Sequence, residues 1–321
     1  MIHEASDNAP ILEISDLHYS YTSDWLWRKV PALHGVSIEV QQGEAFGFLG
    51  PNGAGKTTTI KCILGLIKPS SGKISIAGKP NTSPESRREL AYLPEQPYFY
   101  DHLTPYELVK MYALLSGVQG RNIKRAVQEA LEKVDVAPRS RVPLRSLSKG
   151  LMQRVGMAQA IVAKPKLLIL DEPFSGLDPI GRMQFRNLLI DLKNEGTSIF
   201  MSSHILSDVE FVCDRASILI NGELKGIIDL KDLPNNRAGS VSFTVSNYKD
   251  AEDALRVSAM KVTTQGPLLT ATFPERSLAE HALLAALGSG ASLESFDYDV
   301  ASLEEVFMDL VNKSKHEGFT L

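Results

Sequence analysis

The chain has 321 residues, of which 43% are hydrophobic and 22% are charged, and its formal net charge is −4. This composition is typical of globular proteins and excludes disordered and fibrous chains. Because nucleic-acid binders usually carry a positive field, no nucleic-acid partner is expected. No apolar run reaches the ~18 to 20 residues that span a bilayer. Cys62 and Cys213 are far apart, which predicts neither a disulfide framework nor a zinc site and is typical of a reducing cytoplasm.

Short apolar runs alternate with helical patterns from residue 11 to residue 230. We expect strands, most of them buried on both faces, at residues 45–49, 167–170, 198–201 and 216–220. This alternation predicts an α/β core with a parallel-rich sheet. Strand signals stop between about residues 97 and 162, where a helical subdomain inserted into the sheet is predicted. Its helices are expected at residues 105–116, 122–134 and 149–162.

A second domain is predicted beyond a linker that runs from Pro234 to Gly239. We expect strands at residues 240–246, 260–264, 268–273 and 293–298, and helices at residues 249–257 and 278–287. The order βαββαβ is that of a small α+β domain of the ferredoxin-like type, closed here by a last helix at 302–312. The predicted domains are therefore 1–233, with its helical subdomain at about 97–162, and 234–321.

Residues 50–57 read Gly-Pro-Asn-Gly-Ala-Gly-Lys-Thr and match G-x-x-x-x-G-K-[ST], the pattern of a phosphate-binding loop. The motif follows the predicted strand 45–49 and precedes a helical run at 58–66, as its geometry requires. Its glycines let backbone N–H groups turn toward phosphate oxygens, and the helix directs its positive end at them. Lys56 is expected to reach the outer phosphates, and the Thr57 hydroxyl is expected to bind Mg²⁺.

Two acids follow the apolar strand at 167–170. Asp171 is expected at the carboxyl end of this strand, where open α/β sheets bind ligands and where its carboxylate can hold the metal through water. Glu172 is then suited to orienting or deprotonating the attacking water. A second acid beside the γ-phosphate favours hydrolysis over transfer to another substrate.

Residues 147–154, Leu-Ser-Lys-Gly-Leu-Met-Gln-Arg, resemble the signature motif of ABC ATPases. Ser148 is a good N-cap for the following helix, and its hydroxyl, the Gly150 backbone and the helix N-terminus would form a second anion site. The resemblance implies the P-loop NTPase fold of an ABC cassette. It also implies a head-to-tail dimer of cassettes that holds two ATP molecules between its halves.

The signature departs from the usual pattern at two positions. Lys149 stands where a second glycine is usual, and Leu151 stands where a glutamine is usual. Lys149 could add positive charge near the γ-phosphate of the other cassette, or it could be solvated, and the sequence leaves both interpretations open.

Four further positions are similar to motifs of the same family. Gln96 resembles the Q-loop glutamine, which would touch Mg²⁺ and water while its loop connects to a transporter partner. Asp178 resembles the D-loop aspartate that links the two sites of the dimer. His204, after the strand at 198–201, resembles the switch histidine at the γ-phosphate. Tyr21 resembles the aromatic that stacks on adenine, although Tyr19 or an ordinary strand aromatic is an alternative.

These observations assign a set of candidate site residues. Catalytic roles are expected for Glu172, His204 and Lys56. Metal ligands are expected at Thr57, Gln96 and Asp171. ATP binding is expected at Tyr21, Gly50, Pro51, Asn52, Gly53, Ala54, Gly55, Lys56, Thr57, Thr58, Gln96, Ser148, Gly150 and Asp178.

The C-terminal residues 301–307, Ala-Ser-Leu-Glu-Glu-Val-Phe, resemble the closing helix of a small accessory domain found behind bacterial ATPases of the multidrug and ABC-2 export type. The resemblance implies an ATP-hydrolysing exporter subunit, in a homo- or heterodimer, at the cytoplasmic face of the cell membrane. Its transmembrane permease subunits would be separate chains.

The alternative function is that of a soluble ABC ATPase acting on ribosomes or DNA. Ribosome-acting relatives usually carry two cassettes, and DNA-repair relatives carry a long coiled-coil insertion. This chain has one cassette motif set and a short helical insert. A P-loop kinase or GTPase would leave residues 147–154 unexplained.

Overall fold

The computed structural model describes residues 9–22, 29–231, 241–298, 303–304 and 307–308. It divides into two compact units, Met1–Ile227 and Ile228–Leu321. The linker expected from Pro234 to Gly239 and most of the expected closing helix at 302–312 lie outside the described residues.

A four-stranded antiparallel sheet, which was not among the predicted strands, belongs to the first unit. Its strands are β1 (Leu12–Thr22), β2 (Lys29–Val40), β4 (Ser71–Ile76) and β5 (Lys79–Pro80). They lie in the order β2-β1-β4-β5. Leu12, Ile14 and Leu17 of β1 are buried in the core, whereas Tyr21 near its end is exposed. This strand therefore anchors the sheet and extends a tyrosine beyond it.

A second sheet of six strands forms the centre of the first unit. Its strands are β3 (Ala45–Leu49), β6 (Leu90–Leu93), β7 (Leu167–Asp171), β8 (Ser198–Ser203), β9 (Arg215–Ile220) and β10 (Glu223–Asp229). They lie in the order β10-β9-β3-β8-β7-β6, and the pairs from β9 to β6 are parallel. Every residue of β3, β7 and β8 is buried, as expected where helices and a second sheet cover both faces. The predicted parallel-rich α/β core is confirmed.

Seven helices of the first unit connect these strands among the described residues. They are α1 (Lys56–Ile63), α2 (Pro84–Arg88), α3 (Pro105–Leu115), α4 (Gly120–Lys133), α5 (Lys149–Ile161), α6 (Pro179–Asn194) and α7 (Leu206–Val212). Helices α3, α4 and α5 lie in the chain between β6 and β7, which are neighbours in the sheet, so the helical insert has the position that the sequence predicts. No helix in the described ranges has the length and apolar character needed to span a membrane.

Helix α1 begins two residues before the predicted run at 58–66 and ends before its last residues. Gly65 lies beyond the helix in the left-handed region, with φ of 67°, a conformation that ends helices because only glycine adopts it without cost. Its N–H donates to the carbonyl of Cys62 at 3.0 Å. The Asn81 amide also donates to the carbonyls of Cys62 and Ile63, so the last turn is closed by partners from outside the helix.

The second unit contains one four-stranded sheet and two helices within its described part. In chain order its elements are β11 (Val241–Ser246), α8 (Glu252–Ser258), β12 (Lys261–Gln265), β13 (Leu268–Phe273), α9 (Arg276–Gly288) and β14 (Ser292–Tyr298). The strands lie in the order β12-β13-β11-β14 with antiparallel neighbours. This element order and strand order are those of the ferredoxin-like fold. Phe243 and Phe273 stack in its core with ring centroids 5.4 Å apart.

The core of the first unit is tested best at Phe200, on β8. Its ring centroid lies 6.0 Å from that of Phe46 and 5.3 Å from that of Phe48, and all three side chains are buried. We expect Phe200→Ala to lower the free energy of unfolding by about 3 to 5 kcal/mol, because the cavity adds to the lost burial. Urea unfolding followed by circular dichroism measures it. Leu66→Ala, at an exposed side chain, is the control and should change it by less than about 0.5 kcal/mol; an equal loss in both variants would contradict the assignment of this core.

Candidate functional site

The register of the parallel strands brings the candidate site residues to one edge of the sheet. Leu49, the last residue of β3, is paired with Ser203 of β8, and Asp171 of β7 is paired with Ser202. The phosphate-binding loop, the two acids and His204 therefore all follow strand ends at the carboxyl edge. This edge is the ligand-binding edge of open α/β sheets.

The phosphate-binding loop, residues 50–55, runs from β3 to α1 in a conformation that its glycines allow. Gly53 and Gly55 have φ of 83° and 110°, values that side chains disfavour. A Cβ atom at Gly50 would lie 2.4 Å from the carbonyl oxygen of Leu219. The backbone thus passes too close to its neighbours for larger residues at Gly50. The N–H of Ala54 donates to the carbonyl of Pro51 at 3.2 Å, which closes the loop into the tight turn that phosphate-binding loops form.

Lys56 is buried at the first position of α1, and its ammonium lies over the loop. Its Nζ donates to the carbonyl of Gly50 at 2.6 Å and to that of Pro51 at 3.3 Å. The same Nζ lies 3.3 Å from Oε1 of Glu172. A cation is therefore held between the loop and the second of the two acids.

Asp171 is buried at the end of β7. Its Oδ1 accepts a hydrogen bond of 2.7 Å from the Ser202 hydroxyl. Burial raises the pKa of Asp171, hydrogen bonds from Ser202 and Thr57 oppose that effect, and the nearby charges of Glu172 and Glu95 raise the pKa further. A cation beside this carboxylate would stabilise its charged form.

Glu172 has a left-handed backbone conformation, with φ of 46°, which is uncommon for a non-glycine residue and is concentrated at functional sites. Its N–H donates to the Ser202 hydroxyl at 3.0 Å. Its Oε2 lies 2.8 Å from Nδ1 of His204, a hydrogen-bonding distance. The side chain of Glu172 is only 14% exposed, so Lys56 and His204 hold it from two sides.

A cleft of about 330 Å³ opens beside these groups. Its walls are formed by Tyr21, Ala32, Pro51, Asn52, Gly53, Gly55, Lys56, Thr57, Thr58, Glu95 and Glu172. The hydroxyls of Tyr21 and Thr58 share a hydrogen bond of 2.9 Å. The aromatic end and the phosphate-loop end of the predicted site are therefore parts of one cleft.

Glu95, rather than Gln96, forms part of the cleft wall. Gln96 is not part of that wall, and both residues are exposed, so the metal contact expected of Gln96 stays a prediction. The Glu95 carboxylate is close enough to Asp171 to raise its pKa, and it accepts a hydrogen bond of 3.4 Å from Ser175. Sequence reasoning missed Glu95 because it searched for a glutamine, and a loop offers no periodicity that would set the register.

Eight of the predicted site residues do not line the cleft: Gly50, Ala54, Gln96, Ser148, Gly150, Asp171, Asp178 and His204. Three of them, Ser148, Gly150 and Asp178, belong to the part of the site that was predicted at the dimer contact. Ser148 is the N-cap of α5 and accepts from the N–H of Leu151, and Asp178 is the N-cap of α6. Gly150 follows Ser148 in the first turn of α5. The structure thus gives the two N-caps a structural role, and their contact with nucleotide stays a prediction.

Lys149 packs against the loop that contains Gly176. A Cβ atom at Gly176 would lie 2.5 Å from Cε and 2.6 Å from Nζ of Lys149. The lysine therefore folds onto the predicted D-loop, which neither of the two sequence-based interpretations includes. Gly176, with φ of 73°, leaves the space that the lysine occupies.

The parallel sheet, the glycine loop with its buried lysine and the paired acids define a P-loop nucleotide-binding domain. Residues 33–175 match the family model described as ABC transporter. A bacitracin transport ATP-binding protein of Bacillus licheniformis is 38% identical over 75% of this chain and 77% of its own length. The chain belongs to the family of ABC transporter ATP-binding proteins, which confirms the resemblance inferred from the motifs.

Two more comparisons agree. An uncharacterized ABC transporter ATP-binding protein of Synechocystis is 44% identical over 71% of this chain, and the match spans 64% of that protein, less than two thirds of its length. The solved structure of an ATP-binding subunit of an ABC transporter is 36% identical, has a TM-score of 0.63 and covers 70% of this chain and 91% of its own. The predicted cassette fold is confirmed.

The place of Tyr21 in the cleft predicts its contribution to nucleotide binding. We expect Tyr21→Ala to weaken the binding of a fluorescent ATP analogue about tenfold, because a ring that stacks on a base contributes on the order of 1 to 3 kcal/mol. Tyr21→Phe is the matched control: it keeps the ring, loses the hydroxyl contact with Thr58, and should weaken binding about fivefold at most. Equal affinity of Tyr21→Ala and the unmodified protein would show that the adenine lies elsewhere.

Proposed function

We propose that this chain is the ATP-hydrolysing motor subunit of an ABC exporter. The observation that carries the proposal is the chain of contacts from Lys56 through Glu172 to His204 at the mouth of the phosphate-binding loop. A cation, a carboxylate and an imidazole in mutual contact beside this loop support a role in hydrolysis of an outer phosphate. The family of the chain supports ATP as the nucleotide.

The residues of the cleft fit a nucleoside triphosphate. The N–H groups of residues 52–55 and the N-terminus of α1 would bind phosphate oxygens, and Lys56 would move from its loop carbonyls to the outer phosphates. Tyr21 would cover the base. Thr58 would connect the two ends through its hydrogen bond to Tyr21.

Mg²⁺ fits the donors beside the phosphates. Thr57 and Asp171 offer the hard oxygen ligands that this ion prefers, and the burial that raises the pKa of Asp171 makes a cation there favourable. Bound Mg²⁺ would neutralise charge on the phosphate oxygens during transfer. Gln96 was expected to share this task, but Glu95 is the residue of this loop that lines the cleft.

The hydrolytic step would depend on Glu172. Its carboxylate is suited to orient the attacking water and accept its proton. His204 would donate from Nδ1 to this carboxylate and, as the imidazolium with a proton on each nitrogen, from its other nitrogen to the γ-phosphate. Lys56 would stabilise the charge that develops on the transferred phosphoryl group. Together the three groups can support hydrolysis in which water is the nucleophile.

The second anion site would serve a second cassette in a homo- or heterodimer. Ser148 and Gly150 lie outside the cleft of their own chain, which suits contact with nucleotide held by a partner. Asp178, at the start of α6, would connect the two sites. Closure on ATP and opening after hydrolysis supply the two states that a motor requires.

A groove of about 870 Å³ beside β6 and the helical insert suits the transmembrane partner. Tyr98, 98% exposed, and Leu115, 74% exposed, contribute to its walls, and Arg87 and Arg88 line the same groove. Because the groove begins at the loop that contains Glu95, a segment bound there would sense the nucleotide site. We assign it to a cytoplasmic segment of a separate permease chain, which would hold this subunit at the cytoplasmic face of the membrane.

The second unit, predicted at 234–321, is proposed to be the accessory domain of the multidrug and ABC-2 export type. Its ferredoxin-like strand order and the sequence of residues 301–307 support this assignment. The cassette domain proposed at 1–233, with its helical subdomain at about 97–162, then contains all the predicted nucleotide contacts.

Glu172→Gln tests the hydrolytic role. The amide keeps the shape of the side chain but cannot accept a proton, so we expect ATP to bind with similar affinity and to be hydrolysed about 100-fold or more slowly. Steady-state release of phosphate and titration with the fluorescent ATP analogue measure the two properties. Glu210→Gln, at an exposed residue of α7, is the control. Near-normal turnover of Glu172→Gln would refute the assigned role.

The groove is tested by two neighbouring leucines of α3. Leu115 lines the groove, whereas Leu114 is exposed but does not line it. We expect Leu115→Asp to abolish stoichiometric co-purification of a multi-span membrane protein from gently solubilised native membranes, and Leu114→Asp to retain it, because a buried charge opposes apolar docking. Mass spectrometry identifies the partner. Recovery of ribosomes or DNA-associated proteins without a membrane protein would favour the soluble alternative.

A further inference from the structure

A buried carboxylate lies directly behind the loop that contains His204. Asp208 is in the first turn of α7, and none of its surface is exposed. Arg186 of α6 donates from Nε at 2.9 Å and from Nη2 at 2.5 Å to the same oxygen, Oδ1. Burying a charge is costly unless it is paired and hydrogen-bonded. The pair therefore holds α6 and α7 at one spacing.

Arg186 makes two more contacts with α7, and they restrict its rotation as well. Nη2 donates to the Ser207 hydroxyl at 3.4 Å, and the guanidinium lies 5.2 Å from the ring centroid of Phe211. The planar guanidinium thus contacts three side chains on the first two turns of one helix. A helix held at three points cannot turn about its axis without breaking at least one contact.

The orientation of α7 determines where His204 can point. Only Ile205 separates His204 from Leu206, the first residue of α7. The N–H of Ile205 donates to the Ser203 hydroxyl at 2.9 Å, so the connection from β8 is a tight turn with little freedom. The His204 side chain is 49% exposed and contacts Glu172 through Nδ1 at 2.8 Å. The position of the His204 side chain against Glu172 is therefore set by the two elements that flank it, β8 and α7.

We propose that Arg186 and Asp208 are positioning residues that hold His204 against Glu172. The inference rests on the proposed hydrolytic role of Glu172. The pair touches neither the cleft nor the phosphate-binding loop, so it acts on the hydrolytic step and leaves nucleotide binding unchanged. It also joins the helix that follows His204 to α6, whose N-cap is Asp178.

A double-mutant cycle with His204 distinguishes positioning from general stabilisation. We expect Asp208→Asn to lower kcat about 10- to 100-fold, as small displacements of reacting groups do, and to leave the affinity for the ATP analogue within about twofold. In a His204→Ala background, Asp208→Asn should lower kcat no further, because the residue through which it acts is gone. Equal fold losses in the two backgrounds would overturn the proposal.

Lys193→Gln is the matched control. Lys193 also lies on α6 and pairs with Asp214, just beyond the end of α7, at 2.7 Å, so it joins the same two elements at their other end. The variant should lower the melting temperature without changing kcat at 25 °C. A loss of kcat as large as that of Asp208→Asn would show that any loosening of α6 and α7 slows hydrolysis, which contradicts a specific role for Arg186 and Asp208.

An apolar pair keeps the test decisive if Asp208→Asn does not fold. Replacing both members of a buried ion pair with apolar residues is often neutral or stabilising. Arg182, whose Nε lies 3.9 Å from the same Oδ1, is 30% exposed and can be solvated without Asp208. Arg186→Met with Asp208→Leu should therefore retain the melting temperature but not the directional contacts. We expect its kcat to stay low. Recovery of kcat together with stability would overturn the proposal. Normal turnover of Glu172→Gln alone would instead refute the proposed function, and with it the reason for positioning His204.

Discussion

The Ser202 hydroxyl is the point on which the site depends. It donates to Asp171 and accepts from the N–H of Glu172, so one buried group fixes both acids at once. Ser202 can reach them only because β7 and β8 are parallel and paired residue for residue, with Asp171 opposite Ser202. A shift of one residue in this register would direct Ser202 to the other face of the sheet. The buried apolar strands therefore determine the geometry of a polar site.

Electrostatics explains why the two acids differ although they are neighbours in the chain. Asp171 is buried at a strand end, and its pKa is raised mainly by that burial. Glu172 leaves the strand in a left-handed conformation, and its carboxylate contacts Lys56 and His204 instead. The Asp171 carboxylate is thus suited to bind a cation, and the Glu172 carboxylate is suited to accept a proton. The backbone conformation of a single residue separates the two functions.

The sequence predicts the buried strands of the parallel sheet and the motifs that require fixed spacing. Apolar runs predict β3, β7, β8 and β9 because a strand that is buried on both faces consists almost entirely of hydrophobic residues. The antiparallel sheet is not predicted, since β1 and β2 are half exposed and their alternation is interrupted by bulges between residues 14 and 20. The motif at residues 50–57 predicts the loop, because its glycines are required by the backbone.

Positions in loops are less predictable, for a physical reason. Gln96 was favoured by residue type, whereas the cleft is lined by Glu95, since the direction of a loop side chain depends on tertiary contacts such as the one with Ser175. The contact between Lys149 and Gly176 depends on two segments far apart in the chain. Neither segment contains a signal of the other. The residue types of a motif can be identified from the sequence, whereas contacts between distant loops cannot.

The contacts of Arg186 with α7 are a further example of an interaction between distant segments that the sequence does not predict. Asp208 is an ordinary acid in an amphipathic helix as far as the sequence shows, and only its complete burial reveals that its charge must be compensated. A buried pair adds little net stability compared with apolar packing, but it is directional, and a displaced partner leaves a charge without compensation. Such a pair suits a place where orientation matters more than stability. The start of α7, next to His204, is such a place.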